Sequence, residues 1–316
     1  MVDDAGNYKR IYCRRSAFHP SGGKPGKDGG ASFPVDSLDA PPRTIAPRAP
    51  AKVHQVERAD VDHTNAIYVA LLRAKLELSV EHRQKLLARG LSPREIDDQG
   101  YASTPTREHG DLIAREMGEL GLSGVAGFYS ADGRTWKLAP CRPGYFIPYR
   151  DERGRIAGLQ YRLDEPIGKT KYIWLSSNPD KFERGTSSGA PLHFARHHLL
   201  HDAGEVILTE GALKAQIASL YLNTPIIAAA GVTQFRQDFP AWLRATFPKI
   251  KAVRVAFDLD WRTNPDVRGA ALRLTKRLQE AGYSVRLRVW PPQYGKGIDN
   301  ACIAAIANSQ RLEVAA

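Results

Sequence analysis

Cysteine is scarce: only Cys13, Cys141 and Cys302 occur in 316 residues. An odd number at wide spacing argues against a disulfide framework and a zinc ribbon, and points to a reducing, cytoplasmic setting. Long apolar runs are missing as well. No stretch reaches the ~20 residues that span a bilayer and no signal-peptide core opens the chain, so no membrane partner is expected. No Ser-His-Asp order or reactive Cys-His setting is legible, which leaves covalent catalysis without a candidate. Gly168-Lys169-Thr170 lacks the earlier glycine of a phosphate-binding Walker loop, with Leu163 in its place, so no NTPase motor is encoded. Acidic excess is absent too. The 45 Lys and Arg residues against 34 Asp and Glu give a net charge of +11, a field that attracts polyanions, nucleic acid foremost.

Against that basic background stand two acid motifs, each where a hydrophobic run stops. One is Val206-Ile207-Leu208-Thr209-Glu210-Gly211; the other is Val253-Arg254-Val255-Ala256-Phe257-Asp258-Leu259-Asp260. Strand side chains repeat every two residues, so Asp258 and Asp260 are expected on the same face of one strand end. If the two strands are parallel neighbours, Glu210 joins them at the carboxyl edge, where open α/β sheets bind ligands. Like charges ~4 Å apart repel by roughly 4 kcal/mol at an effective dielectric of ~20, so such a cluster takes up protons or holds a cation. All-oxygen ligands favour Mg²⁺ or Mn²⁺.

The chain divides by pattern into four stretches. Residues 1–55 are rich in Gly, Pro and Ser with basic doublets, and are predicted to be a disordered basic arm. Residues 56–123 carry helix signals, including the capping box Ser92-Pro93-Arg94-Glu95, and form a small helical subdomain expected to serve packing. Residues 124–203 read as a strand-rich basic subdomain, with strands near 143–149, 155–162 and 171–175. There Arg155, Arg162 and Lys171 alternate with Tyr145, Tyr149, Tyr161, Tyr172 and Trp174, an interleaving suited to gripping a single strand through phosphates and stacked bases. Residues 204–310 alternate strands, at 205–210, 225–230, 252–258 and 284–290, with helices, which predicts a parallel sheet with right-handed crossovers. Lys296-Gly297-Ile298-Asp299 follows the last strand and brings a lysine and a fourth acid, Asp299, to the same edge. His193, His197 and His201 recur every four residues, but Phe194 stands where a zinc protease has its glutamate, so a basic helix is expected there.

With these residues in view, Gly204 to Asn308 resembles the Toprim domain of bacterial-type primases, topoisomerases and some nucleases. Glu210 and the Asp258-Leu259-Asp260 pair match its signature positions. Upstream, Phe146-Ile147-Pro148-Tyr149, Gly154-Arg155-Ile156-Ala157-Gly158, Tyr161-Arg162, Lys171-Tyr172 and Pro191-Leu192-His193-Phe194 look like the basic template-binding half of a DnaG-like primase core, in the same order. The strings Gly90-Leu91-Ser92-Pro93-Arg94-Glu95, Glu210-Gly211-Ala212-Leu213-Lys214-Ala215 and Gly295-Lys296-Gly297-Ile298-Asp299 are similar to a poorly characterised Toprim-like family in replication proteins of phages, plasmids and other mobile elements. The fold this implies is α/β: a C-terminal Toprim domain, its parallel Rossmann-like sheet flanked by helices, after a smaller basic α+β subdomain.

The resemblance implies a primase-like nucleotidyl transferase in which Glu210, Asp258, Asp260 and Asp299 hold Mg²⁺. Arg155, Arg162 and Lys171 would contact single-stranded DNA template, and Lys214, Arg268 and Lys296 would reach nucleotide phosphates. It also implies partnership with a replicative helicase or another replication protein. A nuclease using the same acids and a non-catalytic single-strand binder remain open alternatives. The chain departs from the primase pattern in lacking zinc-ribbon ligands and in carrying Lys214 where a second acid follows the glutamate.

Overall fold

The computed structural model describes residues 10–13, 24–25, 31–34, 56–259 and 263–314. The chain parts into two units, Met1–Lys52 and Val53–Ala316. In the first, strands β1 (Arg10–Cys13), β2 (Lys24–Pro25) and β3 (Ala31–Pro34) pair antiparallel in the order β1-β3-β2. The disordered basic arm expected over 1–55 otherwise lies outside the described residues. Ile11, Tyr12 and Phe33 are good strand formers, and they outweigh the polar composition of the segment.

The second unit begins with helices α1 (Val61–Ala70), α2 (Val80–Leu87), α3 (Pro93–Gln99) and α4 (Arg107–Glu116). Their starts are fixed by side-chain caps from Asp60, Ser79, Ser92 and Thr106. The reciprocal Ser92–Glu95 capping box forms as predicted, and Gly100 ends α3 in a left-handed conformation. Strand β4 (Ala102–Ser103) follows α3, and β5 (Phe128–Tyr129) pairs with β6 (Lys137–Leu138). Then β7 (Gly144–Arg150), β8 (Ile156–Ile167) and β9 (Thr170–Trp174) complete an antiparallel sheet of order β4-β7-β8-β9.

The pleat sorts the residues of that sheet. Phe146, Leu159, Tyr161 and Leu163 pack with Ile67, Leu71 and Ile113 in one core, so the helices of 56–123 and the strands of 124–203 are not separately packed. Tyr145, Ile147 and Tyr149 turn to the opposite face. Across the ladder Tyr145 is opposite Arg162, and Arg162 is opposite Tyr172, so both Arg162 and Tyr172 share this second face.

The C-terminal half is built on β10 (His193–Ala195), β11 (Glu205–Glu210), β12 (Ile226–Ala229), β13 (Ala252–Val255) and β14 (Ser284–Leu287), in the order β10-β12-β11-β13-β14. All neighbours are parallel except β10, an antiparallel edge strand. Strands β13 and β14 stop three residues short of their predicted ends. Helices α5 (Ala212–Leu222), α6 (Phe239–Thr246), α7 (Pro265–Glu280) and α8 (Ile298–Val314) cover the sheet. Val206, Leu208, Val253 and Val255 pack on one side with Leu243, Leu274 and Leu278. Ile207, Ile226 and Ala228 pack on the other with Ala215, Ala218 and Ile298. The fold is thus mixed α/β, with an antiparallel sheet region before a mostly parallel, helix-flanked sheet. Among the described residues, no helix is long and apolar enough to cross a membrane.

Two features position the site. A shared core sets Tyr145, Ile147 and Tyr149 of β7 against Ala212, Leu213 and Ile217 of α5, with Leu86, Leu91 and Ile96 from the α2–α3 region beside them. It locks the second face of the antiparallel sheet over the start of α5. The basic helix expected around the histidines does not form: His193 lies on β10, and Arg196, in a left-handed conformation at φ 51°, separates it from a 3-10 turn at His197–Leu199. His193 Nδ1 accepts the Arg150 backbone N–H at 3.1 Å, and burial, with Arg150 nearby, depresses its pKa to about 3. It is a neutral core residue.

Candidate functional site

Glu210 is the last residue of β11, and Gly211, at φ +81°, swings the chain at once into α5. Only glycine enters that region without strain. The tight turn lays Lys214, in the first turn of α5, back over the strand end. Next door, Ala256 N–H donates to Leu208 O and Thr209 Oγ1 donates to Ala256 O, each at 2.8 Å, while Leu259 N–H donates to Lys296 O at 3.1 Å. The segment after β13 is therefore stitched on both sides, and it presents Asp258 beside Glu210.

Lys214 Nζ stands between the two acids, 2.5 Å from Asp258 Oδ1 and 3.4 Å from Glu210 Oε1. Lys296 Nζ approaches the other Asp258 oxygen at 3.5 Å. Burial alone would raise Asp258, yet the Lys214 ammonium outweighs it and holds the carboxyl below its usual range. Glu210 goes the other way: burial, and repulsion from Asp258 with which it shares a hydrogen bond, raise it despite Lys214. Burial would lower Lys214, but the two acids keep its ammonium above the ordinary lysine range. One ammonium serves two unequal carboxyls.

Asp299, in the first turn of α8, is 2% exposed. Its Oδ2 accepts from Arg89 at 2.6 Å, and its Oδ1 has no hydrogen-bond partner among the described residues. A Cβ on Gly297 would collide with Asp299 Oδ1 and come within 3.4 Å of Asp258 Oδ1, so the glycine keeps open a small gap lined by acid oxygens. Burial would lower the Arg89 guanidinium, but Tyr172 and Asp299 together raise it.

These groups line a cleft of about 660 Å³ between the second face of the antiparallel sheet and the carboxyl edge of the parallel one. Of the residues singled out from sequence, Glu210, Asp258, Asp299, Arg162, Lys171, Lys214 and Lys296 meet there. Asp260 lies outside the described residues. Arg155 and Arg268 do not line the cleft. Arg155 is tied to Asp151 at 2.7 Å and Asp62 at 2.9 Å in the β7–β8 turn, and Arg268 is exposed on α7. The sequence reading missed Arg89, which enters from the helices it assigned to packing alone. Its partner is 210 residues away, so no local pattern announces it. Lys169 and Tyr172 also line the cleft.

The described acids do not, as arranged, make a divalent-metal centre. Their oxygens suit a hard cation, but Lys214 already sits between Glu210 and Asp258, and Arg89 takes one oxygen of Asp299. Among the described residues no cluster of three or more metal-ligating side chains is assembled.

A sequence-family profile described as "Domain of unknown function (DUF3854)" matches residues 198–309. Comparison with curated proteins finds no match. Solved structures give a fold likeness. The zinc-binding and RNA polymerase domains of the Aquifex aeolicus primase align with a TM-score of 0.55 at 20% identity, over 79% of this chain and 59% of that one. The chain thus spans about three fifths of that structure's length. A DnaG primase catalytic domain bound to single-stranded DNA aligns at 0.52 and 21% identity, over 80% of this chain and 79% of the other. The RNA polymerase domain of Mycobacterium tuberculosis primase DnaG, in complex with double-stranded DNA, aligns at 0.55 and 18%, over 78% and 80%. The fold is that of a DnaG-type primase catalytic core.

Proposed function

We propose that the chain is a primase-like nucleotidyl transferase that synthesises primers on single-stranded DNA in replication of a mobile element. The observation that carries this reading is the placement of Glu210 and Asp258 at the ends of adjacent parallel strands, facing a cationic sheet across one cleft. Arg162, Lys169 and Lys171 form no ion pair among the described residues, so template phosphates meet cations with no competing carboxylate. Tyr172 is half-buried beside them and offers a ring edge or face to a base. Lys296 and Arg89 approach from the opposite wall, where nucleotide phosphates would be held by charge-assisted bonds. Glu210, its pKa raised, is the group placed to accept a hydroxyl proton.

A second reading, a non-catalytic strand binder, is favoured by one observation: Lys214 neutralises the acid pair from within. Incubating the protein with single-stranded DNA, labelled nucleotides and Mg²⁺ separates the possibilities. Lengthened products that vanish in Asp258→Asn, with DNA binding retained, are expected. Shortened DNA would point to a nuclease, and unchanged DNA that is nevertheless bound would leave the binder.

A further inference from the structure

A second groove, of about 560 Å³, lies outside the cleft, between the 3-10 turn at Val232–Gln234 and helix α7. Its charge is one-sided: Arg236, Arg273, Lys276 and Arg277 face it against a single carboxylate, Glu280. Arg277 is braced, its guanidinium donating to Arg236 O at 2.9 Å and to Phe235 O at 3.1 Å, so its charge is fixed in place without an acid to cancel it. Arg273 is exposed and forms no ion pair among the described residues. Lys276 and Glu280 stand 3.7 Å apart with side chains 77% and 62% exposed, a surface pairing worth at most about 1 kcal/mol, which a phosphate displaces readily.

The groove adjoins the cleft. Ala230 lines the one and Val232 the other, and two residues of chain span at most about 7 Å. Gly231 lies between them, and a Cβ there would meet nothing within 4 Å, so the crossing is open space. A protein partner finds little to hold here: the large apolar side chain of the groove, Phe235, is 2% exposed, whereas tight protein interfaces centre on an accessible aromatic or aliphatic anchor. Thr233 and Gln237 are exposed, and supply the neutral donors that accompany arginine and lysine at phosphates.

We propose that the α7 groove is a second phosphate-binding site, which takes the backbone of a DNA single strand where that strand leaves the cleft. It holds the strand by charge and position and reads no base. Two sites on one strand reinforce each other, because the second contact is made within a complex that the first has already formed. The inference rests on the cleft being a single-strand site, but not on primer synthesis.

The test follows the fluorescence anisotropy of oligothymidylates of increasing length across a salt series, with the full chain. Arg273→Gln with Lys276→Gln should weaken the longest about ten-fold and reduce its salt slope by roughly 1.4, because two phosphates then keep their counterions, while the shortest that bind keep wild-type affinity. Arg273→Lys with Lys276→Arg retains both charges and should retain the affinity. Removing two charges at the opposite edge of the sheet, by Lys249→Gln with Lys251→Gln, should leave every length within about two-fold, since salt screens exposed charges that distant. Unchanged affinity for the longest oligothymidylate in Arg273→Gln with Lys276→Gln overturns the proposal and favours an acidic protein partner for the groove. A loss equal at every length overturns it too, as the mark of a general field and not of a site. Failure of the cleft reading looks different: Arg162→Gln with Lys171→Gln would then leave the shortest oligothymidylates bound as before.

Discussion

The two walls of the cleft treat charge in opposite ways. On the antiparallel side, Arg162, Lys169 and Lys171 project cations that no carboxylate among the described residues neutralises. On the parallel side, Asp258, Glu210 and Asp299 are balanced by Lys214, Lys296 and Arg89 over distances of 2.5 to 3.5 Å. The difference follows from the sheets. Arg162, Lys169 and Lys171 lie at the β8–β9 end of their sheet, beyond the packed β7–α5 seam, where long basic side chains reach water at little cost, whereas acids at the edge of a sheet covered on both sides are half or fully buried and need a counter-charge.

The largest expected effect breaks the closed wall. Removing one partner of a buried ion pair costs about 3–5 kcal/mol, and Lys214→Ala should destabilise the protein on that order in urea unfolding. Adding Glu210→Gln should recover part of it by removing one of two repelling charges. Because Lys214 is held above its ordinary pKa, its contribution is fully present below about pH 10.4 and is lost as pH rises through the folded value. The stability gap between wild type and Lys214→Ala should accordingly narrow at high pH.

Next comes the seam that holds the walls together. Ile217 is fully buried between α5 and β7, and Ile217→Ala should cost roughly 2–4 kcal/mol, measured by the same unfolding. Both halves should still melt together, seen as coincident tryptophan fluorescence and circular dichroism transitions. Separate transitions would break the comparison by showing two independent walls.

Smaller effects sharpen it. Arg162→Gln with Lys171→Gln should weaken oligothymidylate binding about ten-fold or more and reduce the salt slope by roughly 1.4, since two phosphates of a single strand then keep their counterions. Fluorescence anisotropy across a salt series reads both. The smallest effect is for Arg268→Gln, which lies outside the cleft and should leave affinity within about two-fold.

Much of this site was legible because its signals are local. Hydrophobic runs ending in acids marked β11 and the segment after β13, and the basic and aromatic alternation along 145–174 marked the opposite wall. Capping chemistry placed α3. What stayed hidden depends on partners distant in sequence. Arg89 finds Asp299 only through folding, and the bridge from Lys214 to Glu210 and Asp258 forms only because the Gly211 turn lays it back over the strand end. Arg155 pairs with Asp151, four residues earlier in the β7–β8 turn, and with Asp62, which no local pattern in the sequence foretold. The regular spacing of the histidines carried no structural meaning once Arg196 took a left-handed conformation.

The Arg89–Asp299 bridge has a consequence for dissecting the chain. Excising only the span matched by the family profile, 198–309, would strand an almost fully enclosed carboxylate without its guanidinium. It would also strip Leu213 and Ile217 of the tyrosines that cover them. Such a fragment should aggregate or fold loosely, so the smallest workable unit for biochemistry includes the early helices, even though the recognisable family stretch begins more than a hundred residues later.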